Sequence, residues 1–360
     1  MPERIYNFSP GPATLPQEVL AQAAKDIVNF NDTGIGLIEL SHRSKEFMTV
    51  TQEAEDLLRE LMNIPDNYKV LFLQGGASSQ FAMIPMNLLA KGRTATYLNT
   101  GTWSKKAIKE AKLFGNVDLA FDSSSTTFDC VPQDTNFHSA DDSEYLYFVS
   151  NNTIYGTQFK DFPESKADLI CDMSSDILSR ELDVSKFGMI FAGAQKNMGP
   201  AGCAVVIIRE DLLSKCPETV PTMFRYQTHA DKGSMFNTPP CFAIYTIGLV
   251  LKWLRAQGGV SAIADLNCKK AALIYDAIDA TNFYSGHAQV SSRSTMNVTF
   301  NLPSPELEAK FTEEATAQGL AGLKGHRSIG GIRASIYNAF PYEGVEKLVS
   351  FMRNFEKQNG

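Results

Sequence analysis

The six cysteines of this chain, Cys130, Cys171, Cys203, Cys216, Cys241 and Cys268, never form a C-x-x-C pair. That removes the common zinc-ribbon and dithiol patterns. Several of the six sit inside apolar runs, where cysteine behaves as a small hydrophobe, and they read as free thiols of a cytosolic protein. Histidine is scarce as well: there are five, none paired at metal-ligand helical spacing, so no metal site is expected. Basic clusters are absent. With 33 Lys+Arg against 40 Asp+Glu the net charge is -7, and the chain lacks the basic face of a nucleic-acid binder. The longest apolar stretch, Cys241 to Leu251, is too short to span a membrane. Met1 to Tyr6 carries no apolar signal-peptide core, so a cytoplasmic location is expected. No repeat or low-complexity segment occurs. No G-x-G-x-x-G follows the first predicted strand, which removes a dinucleotide-binding dehydrogenase.

What remains is a globular chain with a large core: 44% of its 360 residues are hydrophobic and 20% charged. Helices are predicted from Pro16 to about Phe30 and from Lys45 to about Met62. Short apolar runs then alternate with amphipathic stretches. Val70–Leu73, Thr94–Leu98, Tyr145–Val149, Leu169–Cys171, Met189–Phe191 and Ala204–Ile208 read as strands, with helices over Ser79–Leu89 and Ser104–Phe114. That alternation implies an α/β fold with a mostly parallel sheet covered on both faces. After a long helix from Pro240 to Ala256 the pattern changes at Gly258-Gly259. Helices over Val260–Ala280, Glu306–Gln318 and Tyr342–Phe355, with strands near Val298–Leu302 and Gly331–Ser335, suggest a smaller α+β domain. The expected division is 16–258 for the large domain and 259–360, with the segment 1–15, for the small one.

Chemistry concentrates at predicted strand ends, where open α/β sheets bind their ligands. Lys196 stands in Gly193-Ala-Gln-Lys-Asn-Met-Gly199, among residues too small to cover it. Asp172 ends the buried run Leu169-Ile-Cys171. A lysine able to form a Schiff base and an aspartate to hold a pyridinium nitrogen are the two protein groups that pyridoxal phosphate requires. Gln74-Gly-Gly-Ala-Ser78 precedes a helix whose free N–H groups suit the cofactor phosphate. Trp103 follows another strand, where a flat ring can stack on a pyridine or simply anchor the core. Ser150-Asn-Asn-Thr153 offers hydroxyls and amides, or an ordinary turn. His42-Arg43-Ser44 and His326-Arg327-Ser328 repeat one tripeptide, and Arg333 follows six residues later. Arginine's fork matches carboxylates and phosphates, so these suggest a substrate with two anionic groups.

Taken together, Ala192-Gly-Ala-Gln-Lys-Asn-Met-Gly-Pro-Ala-Gly202, Asp172-Met-Ser-Ser175, Phe8-Ser-Pro-Gly-Pro12, Ser41-His-Arg-Ser44, Gln74–Ser78 and Gly330-Gly-Ile-Arg-Ala-Ser335 resemble the phosphoserine aminotransferase family, class V aminotransferases of PLP fold type I. The resemblance spans nearly the whole chain with its motifs in family order. It implies that Lys196 binds pyridoxal 5'-phosphate covalently, Asp172 pairs with the ring nitrogen, Trp103 stacks on the ring and Thr153 helps fix it. Ala77, Ser78 and Gln195 would hold the phosphate. Asn237 and Thr238 would reach the cofactor of a neighbouring subunit, making a homodimer with shared sites. Arg333 would take the substrate α-carboxylate. His42 and Arg43, from the partner chain, with His326 and Arg327, would bind the distal phosphate or carboxylate, and Ser9 would also contact the substrate. Some members carry arginine at position 78, where this chain has Ser78, which leaves that group to the two His-Arg pairs.

The implied reaction moves the amino group of glutamate to 3-phosphohydroxypyruvate, giving O-phosphoserine and 2-oxoglutarate in serine biosynthesis, with 4-phosphohydroxythreonine of vitamin B6 synthesis as a second candidate. Three rivals stand beside it: an alanine–glyoxylate aminotransferase, a cysteine desulfurase, and a non-enzymatic sugar- or nucleotide-binding protein. A desulfurase needs a cysteine in a mobile loop, and a binding protein needs neither Lys196 nor Asp172.

Overall fold

The structure, a computed structural model, describes residues 4–137, 140 and 142–360. The first three residues of the N-terminal segment read above lie outside it. Seven strands form the main sheet: β1 (Tyr68–Leu73), β2 (Thr94–Asn99), β3 (Asn116–Asp122), β4 (Ser143–Val149), β5 (Asp168–Asp172), β6 (Met189–Gly193) and β7 (Ala204–Arg209). Their order is β1-β7-β6-β5-β4-β2-β3, and only β7 runs antiparallel to its neighbours. Both faces are covered, so the central strands are continuous apolar runs. Alternate residues feed opposite layers: Ile190, Ala192, Val205 and Ile207 enter one core, and Met189, Phe191, Val206 and Ile208 the other.

Helices α1 (Gln17–Val28), α2 (Lys45–Met62), α3 (Gly76–Leu88), α4 (Thr102–Ala111) and α5 (Cys241–Ala256) accompany this sheet. Ser44 opens α2, accepting the Phe47 N–H at 3.2 Å, and left-handed Asn63 closes it. α3 and α4 begin two or three residues before the predicted starts. Glycines 75 and 101 stand at their N-caps, and the prediction missed them because neither has a side-chain acceptor. Ala77, Ser78 and Trp103 therefore sit in first helical turns rather than in loops. β3 was not expected either: it is an edge strand, nowhere fully buried, and Asp118 and Asp122 break its apolar pattern.

A second core gathers Phe8, Ile274, Val298, Phe311, Ala334, Phe351 and Met352. Its sheet holds β8 (Ser285–Gly286), β9 (Asn297–Asn301) and β10 (Ile332–Ser335), joined by α7 (Pro305–Ala317) and α8 (Tyr342–Asn359). Tyr6–Asn7 pairs in parallel with Leu320–Ala321. The helix α6 (Gly259–Asp279) serves both cores: Val260 and Ile263 pack in the first, Ala271 and Ile274 in the second. No helix among the described residues is long and apolar enough to cross a membrane.

Candidate active site

Strand ends and helix starts meet around one cavity of about 200 Å³, lined by Ala77, Ser78, Trp103, Asp172, Gln195 and Lys196. Lys196 stands on the connection between β6 and β7. Its Nζ donates to Thr153 Oγ1 at 2.7 Å and lies 5.5 Å from the Trp103 ring centroid. Burial lowers its pKa to about 8. The Asp172 carboxylate opposes that shift and the Arg333 guanidinium adds to it. A buried ammonium is costly, so this amine sheds its proton far more readily than an ordinary lysine.

Asp172 closes β5 and is 4% exposed. Its Oδ1 accepts from the Ser174 amide at 2.9 Å and the Ser174 hydroxyl at 2.6 Å. Its other oxygen has no hydrogen bond among the described residues. Burial raises its pKa, while the Ser174 bonds and the Lys196 charge pull the other way. Four residues on, buried Asp176 accepts from Ser150 Oγ and from Gln158 Nε2, the latter at 3.2 Å, and Arg180 stands 3.7 Å away. The sequence reading missed Asp176; the repeat of an acid one helical turn after Asp172 was its only signal. Asn151, which also lines the cavity, bonds Ser175 Oγ and Asn297 Oδ1, each at 2.8 Å, and so ties the site to β9.

At the start of α3, Gly75 and Gly76 take left-handed φ of 89° and 62°. A Cβ on Gly75 would come within 2.7 Å of Ser79 Oγ, so the turn needs glycine. No side chain caps this helix, which leaves first-turn amides for an anion. Trp103 Nε1 is buried without a partner. Arg333, on β10 opposite Thr299, is 7% exposed; its Nη1 donates to the Thr153 carbonyl at 3.3 Å and its buried Nε has no partner.

Other residues singled out by sequence lie around this centre. Ser9 sits on the loop whose Ala13 amide donates to the Gln195 carbonyl at 2.9 Å. His326 and Arg327 occupy the turn before β10, with His326 Nδ1 and Ser328 Oγ 2.7 Å apart. His42, with a buried unpartnered Nε2, and exposed Arg43 precede α2, and neither lines the Lys196 cavity of its own chain. Asn237 Nδ2 donates to Gln74 Oε1 at 3.3 Å, and Gln74 Nε2 to the Thr238 carbonyl at 2.8 Å. That pair flanks a separate hollow of about 220 Å³.

The class V aminotransferase family model matches residues 5–348. The chain belongs to the class V aminotransferases. It is 67% identical over 359 residues to the phosphoserine aminotransferase of Desulfotalea psychrophila, covering 100% of this chain and 99% of that one. The solved phosphoserine aminotransferase from Bacillus circulans subsp. alkalophilus is 50% identical, with a TM-score of 0.97 and 99% of each chain covered. The PLP-bound phosphoserine aminotransferase from Trichomonas vaginalis is 41% identical, with a TM-score of 0.93 and coverage of 97% of this chain and 100% of that one. Pyridoxal phosphate is thus the cofactor of this aminotransferase, and the fold is that of PLP fold type I. The residues present fit it: an amine with depressed basicity, a buried carboxylate with a free oxygen, an indole N–H lacking an acceptor, and unfilled helix-start amides share one cavity.

Proposed function

We propose that this aminotransferase moves the amino group of glutamate to 3-phosphohydroxypyruvate, giving O-phospho-L-serine and 2-oxoglutarate in serine biosynthesis. One observation carries the substrate assignment. Arg333 is buried beside Thr153 with an unsatisfied Nε, and the His326-Arg327 turn stands close enough for the charge of both arginines to depress the His326 pKa, after burial itself. Two separate cationic groups call for a substrate with two anionic ends. The same subsite suits 4-phosphohydroxythreonine, which carries an identical phosphomonoester.

Bound pyridoxal phosphate supplies the electron sink for the bonds of the α-carbon. Lys196 would hold it covalently, Asp172 the ring nitrogen, Trp103 the ring face, and Ala77, Ser78 and Gln195 the phosphate. Released when the amino group of the substrate takes its place, Lys196 Nζ, an amine neutral above about pH 8, would take the α-proton of the amino acid as general base. Thr153 Oγ1, 2.7 Å away, steers that amine. Arg333 fixes the α-carboxylate, so the α-hydrogen faces the lysine. None of the six cysteines lines the Lys196 cavity, which disfavours a desulfurase.

The reading extends to a homodimer with shared sites. Ile35, Ile38 and Met48 are exposed apolar residues flanking His42 and Arg43, and Met223, Phe224 and Phe236 lie near Asn237 and Thr238. It extends also to two domains, 16–258 and 259–360 with 1–15. Support comes from the second core, in which Phe8 joins residues 271–355. A cytoplasmic location agrees with six free thiols.

The test is the visible absorption spectrum of the purified protein before and after O-phospho-L-serine. A yellow band that bleaches with phosphoserine, and not with alanine or cysteine, is expected. A band indifferent to phosphoserine removes the substrate assignment and returns the alanine–glyoxylate and desulfurase readings.

A further inference from the structure

One cation near the site has no role yet. Lys106 lies three residues after Trp103 on α4, on the same helix face, and its Nζ stands 4.5 Å from the Trp103 ring centroid. The turn that carries His326 and Arg327 abuts this part of α4, because Trp103 and Ile329 both pack on the cluster of Phe128, Ile154 and Tyr155. A 2.9 Å bond between the Thr102 and Tyr155 hydroxyls fastens the helix start to that cluster. The bond between His326 Nδ1 and Ser328 leaves His326 Nε2 for a ligand. The charge of Lys106, with those of Arg333 and Arg327, is felt at His326 and helps to depress its basicity after burial.

None of these cations is neutralised. Among the described residues no carboxylate forms an ion pair with Lys106, Arg327 or Arg333. Glu308 on α7, whose carboxylate reaches Gly331 just past that turn, is occupied with Asn301 and the Gly331 amide. An exposed ammonium resting on a half-buried indole is held weakly, whereas a phosphate oxygen holds an ammonium through a charge-assisted bond. The ammonium therefore exchanges the ring for a dianion when one arrives, as a flexible lysine stem permits.

We propose that Lys106 is a substrate-binding residue for the distal phosphomonoester, standing ready on Trp103 and pairing with a phosphate oxygen beside His326 and Arg327. It would favour the doubly charged phosphate over the singly charged carboxylate of glutamate. The proposal rests on the substrate reading above.

The test compares KM for O-phosphoserine and for glutamate in the holoenzyme, in Lys106→Gln and in Lys106→Arg. Loss of one partly exposed charged contact should raise KM for phosphoserine on the order of tenfold. KM for glutamate should rise less than about threefold and kcat stay within about twofold, since the contact is made in ground and transition states alike. Lys106→Arg should restore most of the loss. Inorganic phosphate, titrated as a quencher of the tryptophan fluorescence, should bind Lys106→Gln on the order of tenfold more weakly than wild type. Equal rises in both KM values would make Lys106 a prop for Trp103 and overturn the proposal, as would no change in either. A wild type that rejects phosphoserine altogether removes the substrate reading and this proposal together. A wild type that accepts it, with an indistinguishable variant, removes only Lys106.

Discussion

Lys196 shows how a residue's surroundings set its chemistry. A pKa of about 8 means that the free amine, the form that attacks an aldehyde, is already roughly a tenth of the population at pH 7, where an ordinary lysine has only traces. The rate at which the apoenzyme captures pyridoxal phosphate should rise with pH and level off above about 8, followed by stopped-flow absorbance. The sign for a neighbour follows. Asp172 stabilises the Lys196 ammonium, so Asp172→Asn should move that plateau to lower pH even as it weakens cofactor retention. A plateau that moves up, or stays put, breaks the link between the two groups. Both residues were legible in the sequence because each stands alone in its segment, one acid ending an apolar run and one lysine among small residues. Asp176 and Lys106 were not: an acid among serines and a lysine on an amphipathic helix look ordinary until the chain folds.

At the scale of elements, most boundaries could be read from apolar periodicity, and α2 agrees at both ends. β3 could not, because an edge strand keeps one side in water and tolerates acids. Nor could the coupling of α6 to the loop after β10. Lys270, wholly buried on α6, donates to the carbonyls of Ile336, Tyr337 and Phe340 at 3.0, 2.7 and 3.2 Å. Burial alone lowers its pKa to about 7, yet its three acceptors are fixed backbone groups. Lys270→Ala would orphan them, at a cost on the order of 3 kcal/mol. For a chain of this size that corresponds to a fall in Tm of roughly 4 °C by calorimetry. Because the loop follows Arg333 by three residues, the same variant should loosen α-carboxylate binding for both substrates equally.

For the whole molecule, the decisive question is whether one site needs two chains. His42 and Arg43 line no part of their own chain's Lys196 cavity, and Asn237 and Thr238 flank a different hollow. If the second chain completes each site, Lys196→Ala and the double variant His42→Ala/Arg43→Ala should each be nearly inactive as homodimers. Mixed after mild dissociation, they should regain up to about a quarter of wild-type activity. That is the binomial share for sites in which each partner supplies its intact half. No recovery in a mixture shown by mass to contain heterodimers rejects shared sites.

The one reversed strand in the sheet has a bearing on descent. Because β7 lies antiparallel beside β6, with Gly193 facing Ala204, Lys196 is slung between immediate neighbours in the chain. The parallel strands are joined by long excursions that can lengthen without disturbing the sheet. This bracket cannot: every added residue would shift the amine against Thr153 and Asp172. Over evolutionary time, insertions should collect in the crossovers and spare the stretch from Gly193 to Ala204, leaving its length the most stubborn dimension in the protein.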